Sequence, residues 1–208
     1  MNEDIFEQIK IHFPKYLVPE EKSQLFEELK KFPEKLNFYM LNKLEEEYLQ
    51  GDGWKGFVAV NFNSLEKREV SGAILSNSCD IDPKNSSSRD RAILFSPLIK
   101  LAKYQALLKR AGKSEGDIEN TIRAIRNQEI SYIFYFPPYG DIMDESIILL
   151  DNIYQHPLTD FLQRDKYKTF SLQQTAFYLF LLKLSIHFTR FQENVHRFSQ
   201  TPSPKAVA

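Results

Sequence analysis

The chain has 208 residues, of which 26% are charged and 42% hydrophobic, and its formal net charge is −1. A chain of this length can bury a sizeable core, and its composition excludes a disordered polar tract. The net charge excludes a global attraction to nucleic acid or acidic membranes, so any such binding must come from a local patch. Aromatic residues make up 13% of the chain, which predicts a core built around rings.

The chain has one cysteine, Cys79, so it cannot form an internal disulfide and does not depend on an oxidising compartment. Its first residues include acids where a secretory signal peptide carries positive charge. The most apolar run, residues 176–182, is interrupted by Lys183 and His187 long before it could cross a bilayer of about 30 Å. We therefore expect a cytoplasmic protein without membrane contact, in which this run belongs to a buried helix.

Residues 1–50 are predicted to be helical, because their apolar residues recur at intervals of three and four. Pro14, Pro19 and Pro33 divide this pattern into three groups. The third group predicts a helix that ends in the turn at 51–53, although residues 38–40 could equally form a strand. The apolar residues of this group are Leu36, Met40, Leu44 and Tyr48.

After the turn, the apolar period changes from about 3.6 to about 2. The segments WKGFVAVNF and REVSGAILS then predict a β-hairpin, and AILFSPLI predicts a third strand. A helical insertion over about residues 100–127 follows, with one helix that stops at Gly112 and a second that Ser114 caps. Residues 130–136 and 147–152 predict a second strand pair, separated by a loop rich in Pro.

The last predicted element is a long helix over about residues 172–195, for which Ser171 and Gln174 fit a capping box. The order of elements lacks the strict strand–helix alternation of a parallel α/β sheet. We therefore predict an α+β fold in which N-terminal helices, a helical insertion and a long C-terminal helix surround a small bent antiparallel sheet or partly open barrel. The expected single domain covers residues 1–198, with a helical part at 1–50, the sheet at 51–170, the terminal helix at 171–197 and a disordered tail at 199–208.

The segment LSNSCDID presents Cys79 as a candidate nucleophile. A cysteine becomes nucleophilic when a cation, a base or a helix N-terminus stabilises its thiolate, whereas the adjacent Asp80 has the opposite effect. A base would have to come from elsewhere, with His156 or His187 as candidates. The alternatives are a partner-contacting loop and a structural loop, in which Cys79 packs as a small apolar residue and Asn77, Asp80 or Asp82 bonds neighbouring backbone.

The same segment fails as a calcium loop, although Asp80 and Asp82 have the alternate spacing of such loops. Lys84 stands at the third ligand position, Asn85 at the expected Gly and Arg91 at the closing Glu. We therefore expect no metal site there, and no cofactor for the chain.

The predicted terminal helix carries a polar stripe about 80° wide at about 100° per residue. Its members are Lys183, His187, Arg190, Asn194 and Arg197. Such a stripe could follow a phosphate backbone with aromatic rings nearby, as in binders of single-stranded nucleic acid. The alternative is that the stripe is the solvated face of an otherwise apolar helix.

Three segments in chain order, GDGWKGFVAVNF, REVSGAILSN and AILFSPLIK, resemble the opening of the MazF/PemK toxin family over about residues 51–100. In that family a Gly-Asp pair precedes the first strand, an Arg-Pro pair precedes an apolar strand that ends in Ser, and a later strand ends near Pro-x-Thr. The resemblance implies an SH3-like barrel and metal-independent cleavage of single-stranded RNA. Only Arg68 carries over as a catalytic candidate, since Glu69 replaces the Pro and Ile99 occupies the position of the catalytic hydroxyl.

Three functional hypotheses follow. The first is a non-catalytic binding protein that contacts a protein partner or nucleic acid and that could form a homodimer. Its LSNSCDID loop and additional helices also resemble bacterial proteins of toxin–antitoxin or phage-defence systems. The second is an endoribonuclease of the MazF/PemK type that uses Arg68 with Asp80 or His187. The third is a thiol-dependent enzyme at Cys79. Whether the chain is an enzyme stays open between them.

Overall fold

In a computed structural model of the chain, the residues described are 37–61, 63–85 and 90–189. Three predictions lie outside them: the first two N-terminal helices, the disordered tail, and the outer part of the polar stripe with Arg190, Asn194 and Arg197.

The described residues form eight strands and five helices. The strands are β1 (Gly53–Val60), β2 (Lys67–Ile74), β3 (Ala92–Pro97), β4 (Ile99–Lys100), β5 (Ile133–Phe136), β6 (Ser146–Leu149), β7 (Tyr154–Pro157) and β8 (Tyr167–Phe170). The helices are α1 (Ser78–Ile81), α2 (Leu101–Arg110), α3 (Glu115–Arg126), α4 (Leu158–Gln163) and α5 (Gln174–Thr189).

The strands form two antiparallel sheets, which confirms the predicted α+β class. The larger sheet has the order β7-β3-β2-β1-β8, and the smaller has the order β4-β6-β5. The predicted hairpin is the β1–β2 pair, in register from Gly53 opposite Ala73 to Val60 opposite Lys67. The edge strands β7 and β8 do not pair with each other, so the described strands form no closed barrel.

A β-bulge at Gly56 determines which face of β1 each side chain occupies. The register of β1 against β2 shifts between Lys55 and Phe57, and Gly56 has a φ of 109° that L side chains rarely adopt. Trp54 and Phe57 are both buried, whereas Lys55 is exposed and Val58 is partly exposed. Strand alternation on either side of the bulge therefore places Lys55 and Val58 on one outer face.

Aromatic rings fill the core, as the composition predicts. Under the larger sheet, Phe57 stacks on Phe95 with ring centroids 4.1 Å apart and on Phe161 at 4.4 Å. A second cluster between the sheets and α5 includes Phe134 and Phe180 in edge contact at 5.1 Å. Aliphatic residues pack the helical insertion against the smaller sheet, and these include Leu101, Ile118, Ile122, Ile125 and Ile147.

The predicted third N-terminal helix is wrong, because residues 37–50 contain no helix. Tyr39 instead forms an isolated antiparallel bridge with Leu172, which agrees with the alternative of extended chain at 38–40. Phe38 packs in the cluster beside α5, while Tyr48 stacks on Trp54 at 4.9 Å under the larger sheet. The segment is irregular, and its rings pack into two separate clusters.

The sequence also failed to predict β7, α4 and β8, which lie between the predicted second strand pair and the terminal helix. The predicted insertion is confirmed as α2 and α3, and Ser114 caps α3 by accepting a hydrogen bond from Asp117 N at 3.2 Å. The terminal helix α5 begins only at Gln174, and the Gln173 carboxamide accepts from Thr175 N at 3.0 Å. Among the described residues, none of the helices is both long and apolar enough to cross a bilayer.

Candidate anion-binding cleft

A cleft of about 410 Å³ opens where β1, β2, β7 and α4 meet. Its polar lining combines three basic residues, two acidic residues and one histidine, which are Lys67, Arg68, Arg164, Glu69, Asp160 and His156. Three cations against two carboxylates give a local positive excess in a chain whose net charge is −1.

His156 is the buried anchor of the cleft. It lies on β7, is 3% exposed, and its ring centroid lies 5.6 Å from that of Phe161. The backbone N–H of Val58 donates to His156 Nδ1 at 3.3 Å. Because this donor requires a lone pair on Nδ1, the proton of the neutral ring resides on Nε2. Both ring nitrogens are therefore occupied, and the bond to Val58 ties β7 to the bulged part of β1 across the bend of the sheet.

Asp160 is the exposed end of this arrangement. His156 Nε2 donates to Asp160 Oδ2 at 2.5 Å, and the Asp160 side chain is 54% exposed. The hydrogen bond from His156 lowers the pKa of Asp160, and the positive charges of Arg164 and Lys67 lower it further. The cleft therefore presents an ionised carboxylate among cations at neutral pH.

Arg164 follows α4 and connects it to the bulge. Its Nε donates to Gly56 O at 3.2 Å, and its guanidinium lies 3.7 Å from Asp160 Oδ2. A side chain at position 56 would meet Asp165 O at 2.9 Å, so the close approach requires glycine. The guanidinium is thus held at the cleft by backbone that the bulge exposes.

Lys67 and Arg68 extend from the exposed start of β2. Arg68 pairs with Glu66 at 3.3 Å, and the two side chains are 72% and 61% exposed. A pair this exposed contributes little to stability. Arg68 is therefore able to leave Glu66 for another anion.

An exposed aromatic residue lies on the same sheet. Tyr167 pairs with Lys55 between β8 and β1, is 57% exposed, and has the Lys55 Nζ 5.5 Å from its ring centroid. Lys55 shares the outer face of β1 with Val58, so Tyr167 lies on the same side of β1 as Val58, and it does not itself line the cleft.

The candidate catalytic residues Arg68, Cys79, Asp80 and His187 do not come together. Arg68 lies near the start of β2, and the end of the strand lies roughly 20 Å from it at about 3.3 Å per residue. Cys79 and Asp80 lie beyond that end, on α1. His187 lies in the last turn of α5 with its ring centroid 5.0 Å from that of Phe188, and it does not line the cleft. Ile99 belongs to the smaller sheet.

The expectation that Cys79 packs as a buried apolar residue is wrong, because its side chain is exposed. The Asx-type bonding is confirmed for two residues: Asn77 Oδ1 accepts from Cys79 N and Asp82 Oδ1 from Lys84 N, each at 2.9 Å. Within the described ranges, no hydrogen bond or ion pair joins the Cys79 thiol to a base or cation, and His156 is committed to Val58 and Asp160.

Lys183 does not lie on an exposed stripe, since it is 6% exposed. Its Nζ donates to three backbone carbonyls, those of Gln128 at 2.9 Å, Ile130 at 2.8 Å and Ile133 at 2.5 Å, and to Gln128 Oε1 at 3.1 Å. Burial lowers the pKa of Lys183 to about 7. It fastens α5 to the loop after α3 and is not available to a ligand.

Sequence reasoning missed Asp160 and Arg164 as site residues and considered His156 only as a base for Cys79. Their spacing of four residues, HPLTDFLQR, was the available signal, because a short helix places such residues on one face. Their assembly with Lys67 and Arg68 depends on the approach of β7 to β1, which no local pattern encodes.

Neither a protein-family model nor a curated protein matches this chain. Across residues 37–61, 63–85 and 90–189, no three His, Cys, Asp or Glu side chains group as metal ligands.

Proposed function

We propose that this chain is a non-catalytic cytoplasmic protein that binds single-stranded nucleic acid through the cleft and the neighbouring Tyr167. One observation carries the proposal: Lys67 and Arg68 of β2 and Arg164 after α4, two distant parts of the chain, line one concave surface. Cations along a groove suit a phosphate backbone, and an exposed ring on the same sheet suits the stacking of a base.

The state of the cleft residues favours binding over catalysis. General base catalysis is most effective when the pKa of the base lies near the working pH, and the pKa of Asp160 is lowered from its ordinary value. Both ring nitrogens of His156 are engaged in hydrogen bonds, with Val58 and Asp160. The carboxylate and the imidazole therefore serve to hold the shape of the cleft and to place Arg164.

The binding proposal is tested by fluorescence anisotropy with a labelled single-stranded oligonucleotide over a range of salt concentrations. Lys67→Ala/Arg68→Ala should weaken binding and flatten the salt dependence by about 0.7 in log–log slope for each phosphate that is no longer neutralised. A matched control is Lys103→Ala/Arg110→Ala, which removes the same charge from exposed positions of α2. Equal weakening in both variants would point to general electrostatics, and absence of binding in the native protein would refute the proposal.

Tyr167→Ala separates stacking from charge. It should weaken binding by about 1–3 kcal/mol, the value of one base stack, while leaving the salt slope unchanged. Tyr167→Phe, which keeps the ring, should retain the affinity. A change of slope in Tyr167→Ala would contradict the assigned stacking role.

Metal-independent RNA cleavage is a second candidate, favoured by the presence of Arg68 and Asp160 in one cleft. In this reaction Asp160 would accept the 2′-hydroxyl proton, and the 2′-oxygen would attack the adjacent phosphorus while Arg68 stabilises charge on the phosphate. The bond from phosphorus to the 5′-oxygen would break, the 5′-oxygen would leave as a hydroxyl after it takes a proton from the protonated Asp160 or water, and a 2′,3′-cyclic phosphate would remain. Incubation of single-stranded RNA with the protein in chelator should then give fragments, and Asp160→Asn should abolish them. Intact RNA after incubation with the native protein removes this candidate. A link to toxin–antitoxin or phage-defence systems stays a prediction that the sequence resemblance alone supports.

A further inference from the structure

The helical insertion carries a second concave surface, separate from the cleft. A groove of about 600 Å³ runs between α2 and α3. Its α2 side is formed by Ala102, Gln105 and Ala106, all exposed, and its floor includes Ile118 of α3, which is 4% exposed. Small side chains over an apolar floor allow another helix to approach closely.

Four charges border this groove at the end where α2 turns into α3. Lys109 and Lys113 stand on the α2 side and the turn, and Glu115 and Glu119 stand on the α3 side. All four residues are exposed, and no ion pair joins any of them to another side chain in the part of the chain that the structure describes.

The helix dipoles account for only part of this pattern. A basic residue in the last turn of α2 and an acidic residue in the first turn of α3 are expected, which covers Lys109 and Glu115. Lys113 lies in the turn between the helices, and Glu119 is the fifth residue of α3. The groove thus has a basic side and an acidic side for which the helix ends alone give no reason.

We propose that two copies of this chain associate face to face through the α2–α3 groove, about a two-fold axis parallel to the two helices. Such a rotation lays α2 of one copy over α3 of the other and keeps the two turns at the same end. Lys109 and Lys113 of each copy then face Glu115 and Glu119 of the other, and the small side chains of Ala102 and Ala106 allow α3 of the other copy to approach α2 closely. A second copy therefore supplies the reversed charge pattern that the groove requires.

Charge reversal tests this arrangement, with mass in solution measured by sedimentation or light scattering. The native protein should have about twice the chain mass of 24.4 kDa. In a homodimer of Lys109→Glu/Lys113→Glu, acidic residues of one copy would face acidic residues of the other. In a homodimer of Glu115→Lys/Glu119→Lys, basic residues would face basic residues. Each variant alone should therefore be monomeric. Mixing the two variants restores opposite charges across the seam between unlike copies and should restore the dimer mass.

The matched control is Lys103→Glu/Arg110→Glu, which makes the same charge change at exposed positions of α2 outside the groove and should leave the dimer intact. Circular dichroism verifies that each variant folds. A monomeric native protein, a dimer that survives both reversals, or a mixture that stays monomeric would each overturn the proposal. Because oligonucleotide binding is measured separately, failure here is distinguishable from failure of the nucleic-acid proposal.

Discussion

Two lysines are buried among the residues that the structure describes, and they differ in what surrounds them. Lys168 on β8 donates to the Asp52 carboxylate at 2.6 Å and to the carbonyls of Leu44 at 2.7 Å and Glu47 at 2.6 Å. Within residues 37–61, 63–85 and 90–189, Lys183 on α5 donates only to carbonyl oxygens, three of the backbone and one of a side-chain amide. One ammonium thus has a counter-ion, whereas the other is held by dipoles.

The comparison shows two ways in which this fold attaches irregular chain to regular elements. Lys168 and Asp52 fix the helix-free segment at 44–49 against the sheet, with side chains that are 0% and 2% exposed. Lys183 fixes the turn at Gln128, whose φ of 59° is unusual for a residue with a side chain. Each lysine donates to more than one carbonyl oxygen of such a segment and so holds the segment against a regular element.

The largest effect is expected from Lys168→Met. Removal of one partner leaves the Asp52 carboxylate buried without compensation, which should lower the free energy of unfolding by about 3–5 kcal/mol. Urea denaturation measures this decrease. The double variant Asp52→Asn/Lys168→Met should recover part of it, because no charge remains buried. A decrease of less than about 1 kcal/mol for Lys168→Met would show that the counter-ion does not distinguish the two sites.

A smaller decrease, about 1–3 kcal/mol, is expected for Lys183→Met, because carbonyls lose their donor but no opposite charge is left behind. The same urea denaturation measures it. If Lys183→Met destabilised the protein more than Lys168→Met, the proposed difference between counter-ion and dipoles would be wrong.

The Lys183 site should also respond to pH. In the unfolded chain the ammonium keeps its proton up to a pKa of 10.5, whereas burial lowers the pKa of Lys183 to about 7 in the folded protein. Between these values the unfolded state binds more protons, so the contribution of this site to stability rises with pH. The unfolding free energy of the native protein relative to that of Lys183→Met should therefore rise from about pH 7 to about pH 9, by at most about 1.4 kcal/mol per pH unit. A constant difference would contradict the lowered pKa.

The smallest effect on stability is expected at Cys79, which serves as the exposed reference position for the two buried lysines. Cys79→Ser should change the free energy of unfolding by less than about 0.5 kcal/mol, since the thiol is exposed. The native thiol should react with an alkylating reagent at neutral pH without denaturant and no faster than an unactivated thiol. A much faster reaction would revive the thiol-enzyme hypothesis.

Local patterns predicted those parts of the fold in which neighbours along the chain decide the outcome. The period of two in REVSGAILS and the cap at Ser114 each led to the correct element. They failed at residues 37–50, where helical spacing of apolar residues was overridden by packing of Phe38 and Tyr48 into different clusters. Of the residues that line the cleft, Arg68 is the only one for which the sequence predicted a role, contact with a phosphate, that its position in the cleft supports.

The sequence alone determined the mixture of helices and antiparallel strands, because side-chain period and helix caps act over a few residues. Only the tertiary structure decided where the charges lie, because that depends on contacts between distant segments. It brought Lys67, Arg68 and Arg164 to one cleft through the bond between Val58 and His156. The tertiary structure also buries Lys183, because carbonyls of the 128–133 segment surround its side-chain nitrogen. A helical projection shows only the residues of one helix, so it does not predict this burial.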